Sequence, residues 1–491
     1  MMVGKIKIHK GLDIPLGGAA ERRVTDRRDI ALYGIMPDDF VGFTPRLEVH
    51  EGEYVTAGQT VLSDKNNAKI RLTSPVCGRV KEVRRGERRA ITAVVIEKEG
   101  EQKRWKCDTE RLQTREGLIE AMTDCGLWAM MRQRPFGTIA NPDDKPRDIF
   151  ISLFDTAPLA PNFDVVASAG TQMPTMMPQR NCVTQLHTMA AGLNALAMLT
   201  EGKVHVGFSR QQAAVSGQFE ENVVFYEVSG PHPAGNVGTQ IAAIAPLNKG
   251  ERVWTMNLQD VATLGRLMTT GEYVPERYVA VTGPAAVHPQ YYHITAGAAL
   301  GELLKGQLLN KDYPRCLDDS QLRDAVAYND GGTRVISGNV LSGRAVGVEG
   351  FVGAYDSQVT LIEEGDKYDF MGWLMPGLKK HSFSRTFLSG VLGRFATAGR
   401  SCLQLRFNTN LHGGERPLVF SGDFERVFPF DIYPTQLIKA AIIGDIELME
   451  NLGIYEVEPE DFALCEYIDP SKTEIQSIIR KALEKIRKDT N

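Results

Sequence analysis

The apolar runs at Ile149–Phe154, Lys203–Phe208 and Val223–Val228, with a helix-length segment from Thr184 to Glu201 between the first two, restrict the fold of this chain more than any other feature. Short, nearly continuous apolar runs suit strands that are buried on both faces. A strand, helix, strand order then brings the two strands together in parallel. The spacing therefore predicts a Rossmann-like α/β domain over residues 101–258. No Gly-x-Gly-x-x-Gly turn follows any of these strands, so the backbone cradle on which a dinucleotide phosphate rests is missing from the sequence.

One such domain cannot account for 491 residues, because single cores stop growing at roughly 250–300 residues. Residues 1–100 read as short strands joined by tight turns, with Gly52, Gly58 and Gly78 between valine-rich pieces and the run Ser74–Val80. This spacing resembles the biotinyl/lipoyl-carrier β domain, with Lys65 near the place of the carrier lysine and read here as an exposed turn residue. Over 259–375, a strand at Arg277–Gly283, a partner at Tyr291–Ile294, a short helix from Leu300 to Leu304 and glycine-rich strands from Thr333 to Ile362 resemble a β-grasp (soluble-ligand-binding) domain. Residues 376–491 are expected to be mainly helical, with apolar spacing of helical period at Pro434–Asn451 and Thr473–Lys488. The whole is thus an α/β multidomain chain.

Composition narrows the function. A formal net charge of −5 supplies no positive field for nucleic acid. The cysteines Cys77, Cys107, Cys125, Cys182, Cys316, Cys402 and Cys465 form no Cys-x-x-Cys pair, so neither a zinc site nor a disulfide framework is indicated. The opening Met1–Lys10 carries no apolar core of a signal peptide. The longest weakly polar stretch, Leu186–Leu199, is interrupted by His187 and Asn194 and is shorter than the roughly 20 residues that span a bilayer. Any work at a membrane is expected to go through partners.

Several separated stretches, in order along nearly the whole chain, carry a more specific resemblance. They are Lys10–Pro15; Gly126-Leu127-Trp128 with Arg132, Arg134, Pro135 and Phe136; Gly230–Gly235 with Gly238-Thr239; Phe370–Pro376; Asn408–Arg416; Pro434-Thr435; and Leu464-Cys465. Together they resemble the A-subunit family of the Na+-translocating NADH:quinone oxidoreductase (Na+-NQR). The resemblance implies a peripheral subunit on the cytoplasmic face of the bacterial inner membrane, in a translocase complex that passes electrons from NADH to ubiquinone and expels Na+. It further implies that flavins, iron-sulfur and NADH belong to partner subunits, integral membrane subunits among them, and that the isolated chain is inactive. This chain is then expected to bind ubiquinone or shape its site with no redox cofactor, metal or catalytic residue of its own; the alternative is a structural scaffold of the same complex. In flavin-binding relatives a glycine-rich stretch occupies the place aligned with Gly126–Phe136, where this chain has Trp128, Met130, Met131, Arg132 and Arg134. Of the cysteine quartet that ends those relatives, Cys465 alone remains.

A quinone ring needs apolar walls and one or two hydrogen-bonding groups for its carbonyl oxygens. The candidate walls are Leu32, Tyr33, Gly34, Ile35 and Met36 on one segment, and Trp128, Arg132, Arg134 and Phe136 on another. His232, held between two prolines, reads as a rigid loop element. Gln240 and Ala242 stand where relatives carry two alternating histidines, and His412-Gly413-Gly414 reads as a turn.

Overall fold

The computed structural model describes residues 3–168, 183–210, 218–308, 332–365, 407–411 and 414–490. The apolar runs form the centre of a seven-stranded sheet in the order Val3–Lys7, Val223–Ser229, Val204–Phe208, Ile149–Ser152, Val253–Thr255, Arg132–Arg134 and Thr138–Ile139. The first five are parallel and the last two antiparallel. Side chains alternate across a strand, so Phe150 packs against Ile241 and Leu247 on one face. Ile149 and Ile151 meet Leu193, Val261 and Leu264 on the other. Helix Val237–Ile244 thus covers the first face, and helices Val183–Ala197 and Leu258–Thr270 cover the second.

The N-terminal region is a pair of small facing sheets: Leu32–Ile35, Ile91–Lys98, Gly78–Arg85 and Tyr54–Val55 in one, and Pro45–Leu47, Thr60–Asp64 and Arg71–Thr73 in the other. Gly78 marks a tight approach between strands, since a Cβ there would lie 2.1 Å from the Glu97 carbonyl oxygen. Lys65 sits exposed in the turn after Thr60–Asp64. The six-stranded mixed sheet runs Glu21–Asp26, Gln290–Thr295, Glu276–Thr282, Gln358–Glu363, Thr333–Ser337 and Arg344–Ala345; its first and third neighbouring pairs are parallel and the others antiparallel. Two early strands therefore serve later sheets. Val3–Lys7 edges the parallel sheet and Glu21–Asp26 edges the mixed one.

The C-terminal segment has a separate core of Phe428, Phe430, Leu437, Phe462, Ile479 and Leu483. The single helix expected over Pro434–Asn451 is two helices, Pro434–Ile443 and Ile446–Asn451. Gly444 takes φ +73° at the end of the first, and Asp445 caps the second by accepting the Leu448 N–H at 3.0 Å. Apolar periodicity runs through the break, which is why pattern alone reads it as continuous.

Glu276 ties three of these pieces together, with Arg28 from the segment after Glu21–Asp26 at 3.1 Å, Arg266 from helix Leu258–Thr270 at 3.4 Å and His293 from the adjacent strand at 3.3 Å. Burial alone would raise its pKa, but His293, Arg266 and Arg28 outweigh that and hold it at about 2. Above the ordinary value of 4.5 the carboxylate is ionised in folded and unfolded chains alike, and its contribution is complete. Below 4.5 the unfolded chain takes up the proton first, so stability falls as pH drops towards 2. Glu276→Gln is expected to flatten the acid limb of a pH-stability curve between about pH 4.5 and about pH 2. An unchanged acid limb would remove this role.

Candidate functional site

Two cavities lie on either side of Arg277. One is an apolar slot lined by Gly34, Ile35, Met36 and Phe40 from the N-terminal sheets, Leu127 and Met130 from the turn after Gly126, and Val352 and Ala354 from the mixed sheet's loop. Its polar lining includes Asp260, Thr263, Tyr273, Glu276 and Asp39. The other, of about 220 Å³, is a cleft beyond the carboxyl ends of Ile149–Ser152 and Val253–Thr255, lined by Arg132, His232, Asn257, Gln259 and Tyr355 among others. Strand Ile149–Ser152 has its forward crossover on one side and Val253–Thr255 on the other, which makes this the switch point where open parallel sheets place ligands.

Arg277, 5% exposed, is the wall between them. Its guanidinium donates to Asp260 Oδ1 at 2.6 Å and reaches Met130 Sδ at 3.3 Å. Asp260 comes from the first turn of helix Leu258–Thr270 and Arg277 from strand Glu276–Thr282, so the sheet and its covering helix position the pair. Burial pushes the Asp260 carboxyl up to about 6 against the pull of Arg277. Asp39 is also lifted by burial to about 6, yet both its oxygens are engaged, one by Arg344 at 2.6 Å and one by the Ala354 N–H at 2.8 Å. Tyr273 is driven upward by burial and stays a neutral hydroxyl.

The residues expected from sequence divide three ways. Gly34 and Met36 line the slot, whereas Tyr33, fully buried, points into the core and Leu32 packs beside it. Trp128 reaches neither cavity wall. It is 1% exposed, donates its indole N–H to Ala140 O at 2.8 Å and meets Trp254 edge-on at 5.4 Å; it holds up the turn that carries Leu127 and Met130. Arg132 lines the cleft, lying 5.4 Å over the Tyr355 ring while bonding Glu458 at 2.9 Å. Arg134 and Phe136 face the C-terminal segment instead. Arg134 is enclosed by Glu458 at 3.4 Å, Glu460 at 2.8 Å and Asp461 at 3.0 Å, and Phe136 packs edge-on to Tyr455 at 6.1 Å. Sequence thus points to one wall of the slot, Gly34 to Met36, but not to the wall of Leu127 and Met130, nor to Asp260, Arg277 or Tyr273. A lone acid in a helical first turn and an arginine in a strand carry no local signal of being partners.

The remaining motifs are explained locally. His232 bonds Thr156 Oγ1 at 3.1 Å through Nδ1, and burial lowers its pKa. Gln240 donates to Ser152 Oγ at 2.9 Å and to Ala234 O, fixing the proline-histidine loop to the sheet. Cys465 is buried with its thiol pushed up. Among the described residues, no group of three or more His, Cys, Asp and Glu side chains could hold a metal ion, and no helix is long and apolar enough to cross a membrane. His412, Gly413 and Phe370–Pro376 lie outside the described residues.

Comparison with known proteins gives two family-model matches: "NqrA N-terminal barrel-sandwich hybrid domain" over residues 6–99 and "NqrA second alpha/beta domain" over 113–273. Over 489 residues the chain is 35% identical to the A-subunit of the Na(+)-translocating NADH-quinone reductase of Yersinia pseudotuberculosis, covering 99% of this chain and 100% of that one. The Pasteurella multocida protein of the same name matches with the same identity and coverage. The Pseudomonas aeruginosa protein is 34% identical over 491 residues.

Proposed function

Since the chain belongs to the NqrA family, the A-subunits of the Na(+)-translocating NADH-quinone reductase, we propose that it serves that oxidoreductase as a peripheral subunit that binds the ubiquinone ring in the slot beside Arg277. The single observation carrying this reading is the slot itself. It joins Gly34 and Met36 to Leu127 and Met130 as apolar walls and closes one end with the Asp260–Arg277 pair. A flat ring with polar oxygens at its edge needs that combination. NADH oxidation, flavins and iron-sulfur chemistry are assigned to partner subunits, including integral membrane ones, and docking to the cytoplasmic face of the bacterial inner membrane. The filling of the turn after Gly126 by Trp128, packed on Trp254, supports that division of labour.

The same reading divides the chain into a carrier-like β domain over 1–100, a Rossmann-like domain over 101–258, a β-grasp domain with its following strands over 259–375, and a mainly helical domain over 376–491. Its support is topological: a five-strand parallel core with helices on both faces, and a mixed sheet in which two parallel pairs are interleaved with antiparallel ones. The strands Val3–Lys7 and Glu21–Asp26 are then straps that leave the first domain to complete the next two.

Calorimetric titration of the full chain with a short-chain ubiquinone tests the proposal. Saturable heat is expected. Thr263→Phe, which places a ring into the slot from helix Leu258–Thr270, is expected to weaken binding by about tenfold or more, or roughly 1.4 kcal/mol. A chain that only scaffolds the complex gives no saturable heat, and that result would replace the quinone reading with the structural one.

A further inference from the structure

Asp260 holds a carboxyl oxygen that no group among the described residues satisfies. Its Oδ1 receives the Arg277 guanidinium at 2.6 Å, while Oδ2 is buried without a hydrogen-bond partner in a residue 4% exposed. Buried polar atoms are nearly always partnered, and each exception calls for an explanation, of which a bound ligand is one. Here the residue lines the apolar slot. The charged groups around it are otherwise committed. Glu276 is bound by Arg28, Arg266 and His293, and Asp39 by Arg344 and the Ala354 N–H. Asp356 is hydrogen-bonded to Ser337, and Arg132 lies over Tyr355, whose hydroxyl donates to Ala129 O. Tyr273 and Cys125, on the far side, are both pushed up by burial and neutral.

Resting on the quinone reading above, we propose that Asp260 Oδ2 recognises both oxidation states of the ring by exchanging one proton with solvent. As a carboxylate it accepts the hydroxyl hydrogen of the quinol; as a carboxylic acid it donates to the quinone carbonyl oxygen. Arg277 is the positioning residue, fixing the carboxyl through Oδ1 in either state. No electron moves in this step, and the two bound forms differ at Asp260 by a single proton. Burial, which lifts this carboxyl to about 6 in spite of Arg277, puts both protonation states within reach near neutral pH.

Proton linkage then gives the two ligands opposite pH dependences. Titrating the full chain anaerobically with short-chain ubiquinone and with the matching quinol, at about pH 5.5 and about pH 7.5, is expected to show quinone affinity falling towards tenfold per pH unit above the Asp260 titration. Quinol affinity should rise over the same interval, by roughly tenfold or less. Asp260→Asn, whose amide offers both a donor and an acceptor, is expected to bind both forms with a flat profile. The opposite slopes of the unmodified chain test the idea even if that variant folds poorly. Parallel slopes, or slopes that persist in Asp260→Asn and so belong to another group such as Asp39, overturn the assignment to Asp260 and leave quinone binding standing. No saturable binding of either form at either pH overturns both.

Discussion

Replacing Arg134 by alanine is expected to destabilise the protein by about 3–5 kcal/mol, the cost of breaking a buried ion pair from one side. Arg134 is 1% exposed and faces Glu458, Glu460 and Asp461, of which Glu458 and Asp461 are themselves buried. Burial works against its charge, and the carboxylates of Glu458, Asp461 and Glu460 outweigh that and raise its pKa. Without the guanidinium, buried Asp461 loses its cation while Glu458 keeps Arg132 at 2.9 Å, and the stranded acid sits in a capping arrangement that needs it, since the Glu458 N–H donates to Asp461 Oδ2 at 2.8 Å. The loss should appear first as release of the C-terminal helices, read by urea unfolding together with limited proteolysis. The double variant Arg134→Ala/Asp461→Ala should cost less than the two singles added, because it also removes the stranded charge. A change under about 1 kcal/mol would show that solvent reaches the cluster. A drop in quinone affinity in Arg134→Ala would therefore report lost packing of the C-terminal segment and not a lost ring contact.

Gly265→Ala should be comparably damaging, at about 3 kcal/mol or more. Helices Val183–Ala197 and Leu258–Thr270 cross with their backbones nearly touching. A Cβ on Gly265 would lie 1.5 Å from the Thr188 carbonyl oxygen, and one on Gly192 would lie 2.1 Å from that of Val261. The obstructing atoms are backbone, which cannot swing aside, so the helices must separate and with them the Val261 and Leu264 contacts that cover the parallel sheet. Because Leu258–Thr270 also carries Asp260 and Thr263 into the slot, the change should disturb ligand binding along with stability. Gly414→Ala, where nothing lies within 4 Å of the added carbon, is the control and should stay within about 0.5 kcal/mol. Equal melting curves for the two variants would rule out the close crossing.

The parts of this fold legible in the sequence are those in which one local pattern decides the outcome. The runs at Ile149, Val204 and Val223 are apolar on both faces, so they read as interior strands before any partner is known. Gly34 and Met36 stand out as an apolar wall and do line the slot. Where partners lie far apart along the chain, local pattern falls short. Val3–Lys7 alternates lysine with apolar residues and shows no sign that its hydrogen bonds go to Val223–Ser229. Arg134 looks like a free donor because Glu458 and Asp461 enter from the other end of the chain. Asp260 and Arg277 are brought together by a helix folding back on a strand, and only tertiary structure reveals that the acid keeps one oxygen unclaimed. Gly444 is the exception among local signals, a visible helix terminator masked by apolar spacing that continues beyond it.

The strand Val3–Lys7 also sets an order of events during synthesis. Its ladder partner, Val223–Ser229, is made about 220 positions later. At the usual pace of translation, that is a wait of about 10–40 s. Throughout that interval the nascent segment has unpaired amide and carbonyl groups, and the parallel sheet it will edge does not yet exist. Its lysines, Lys5 and Lys7, keep such a waiting strand soluble and discourage it from joining a neighbouring ribosome's product.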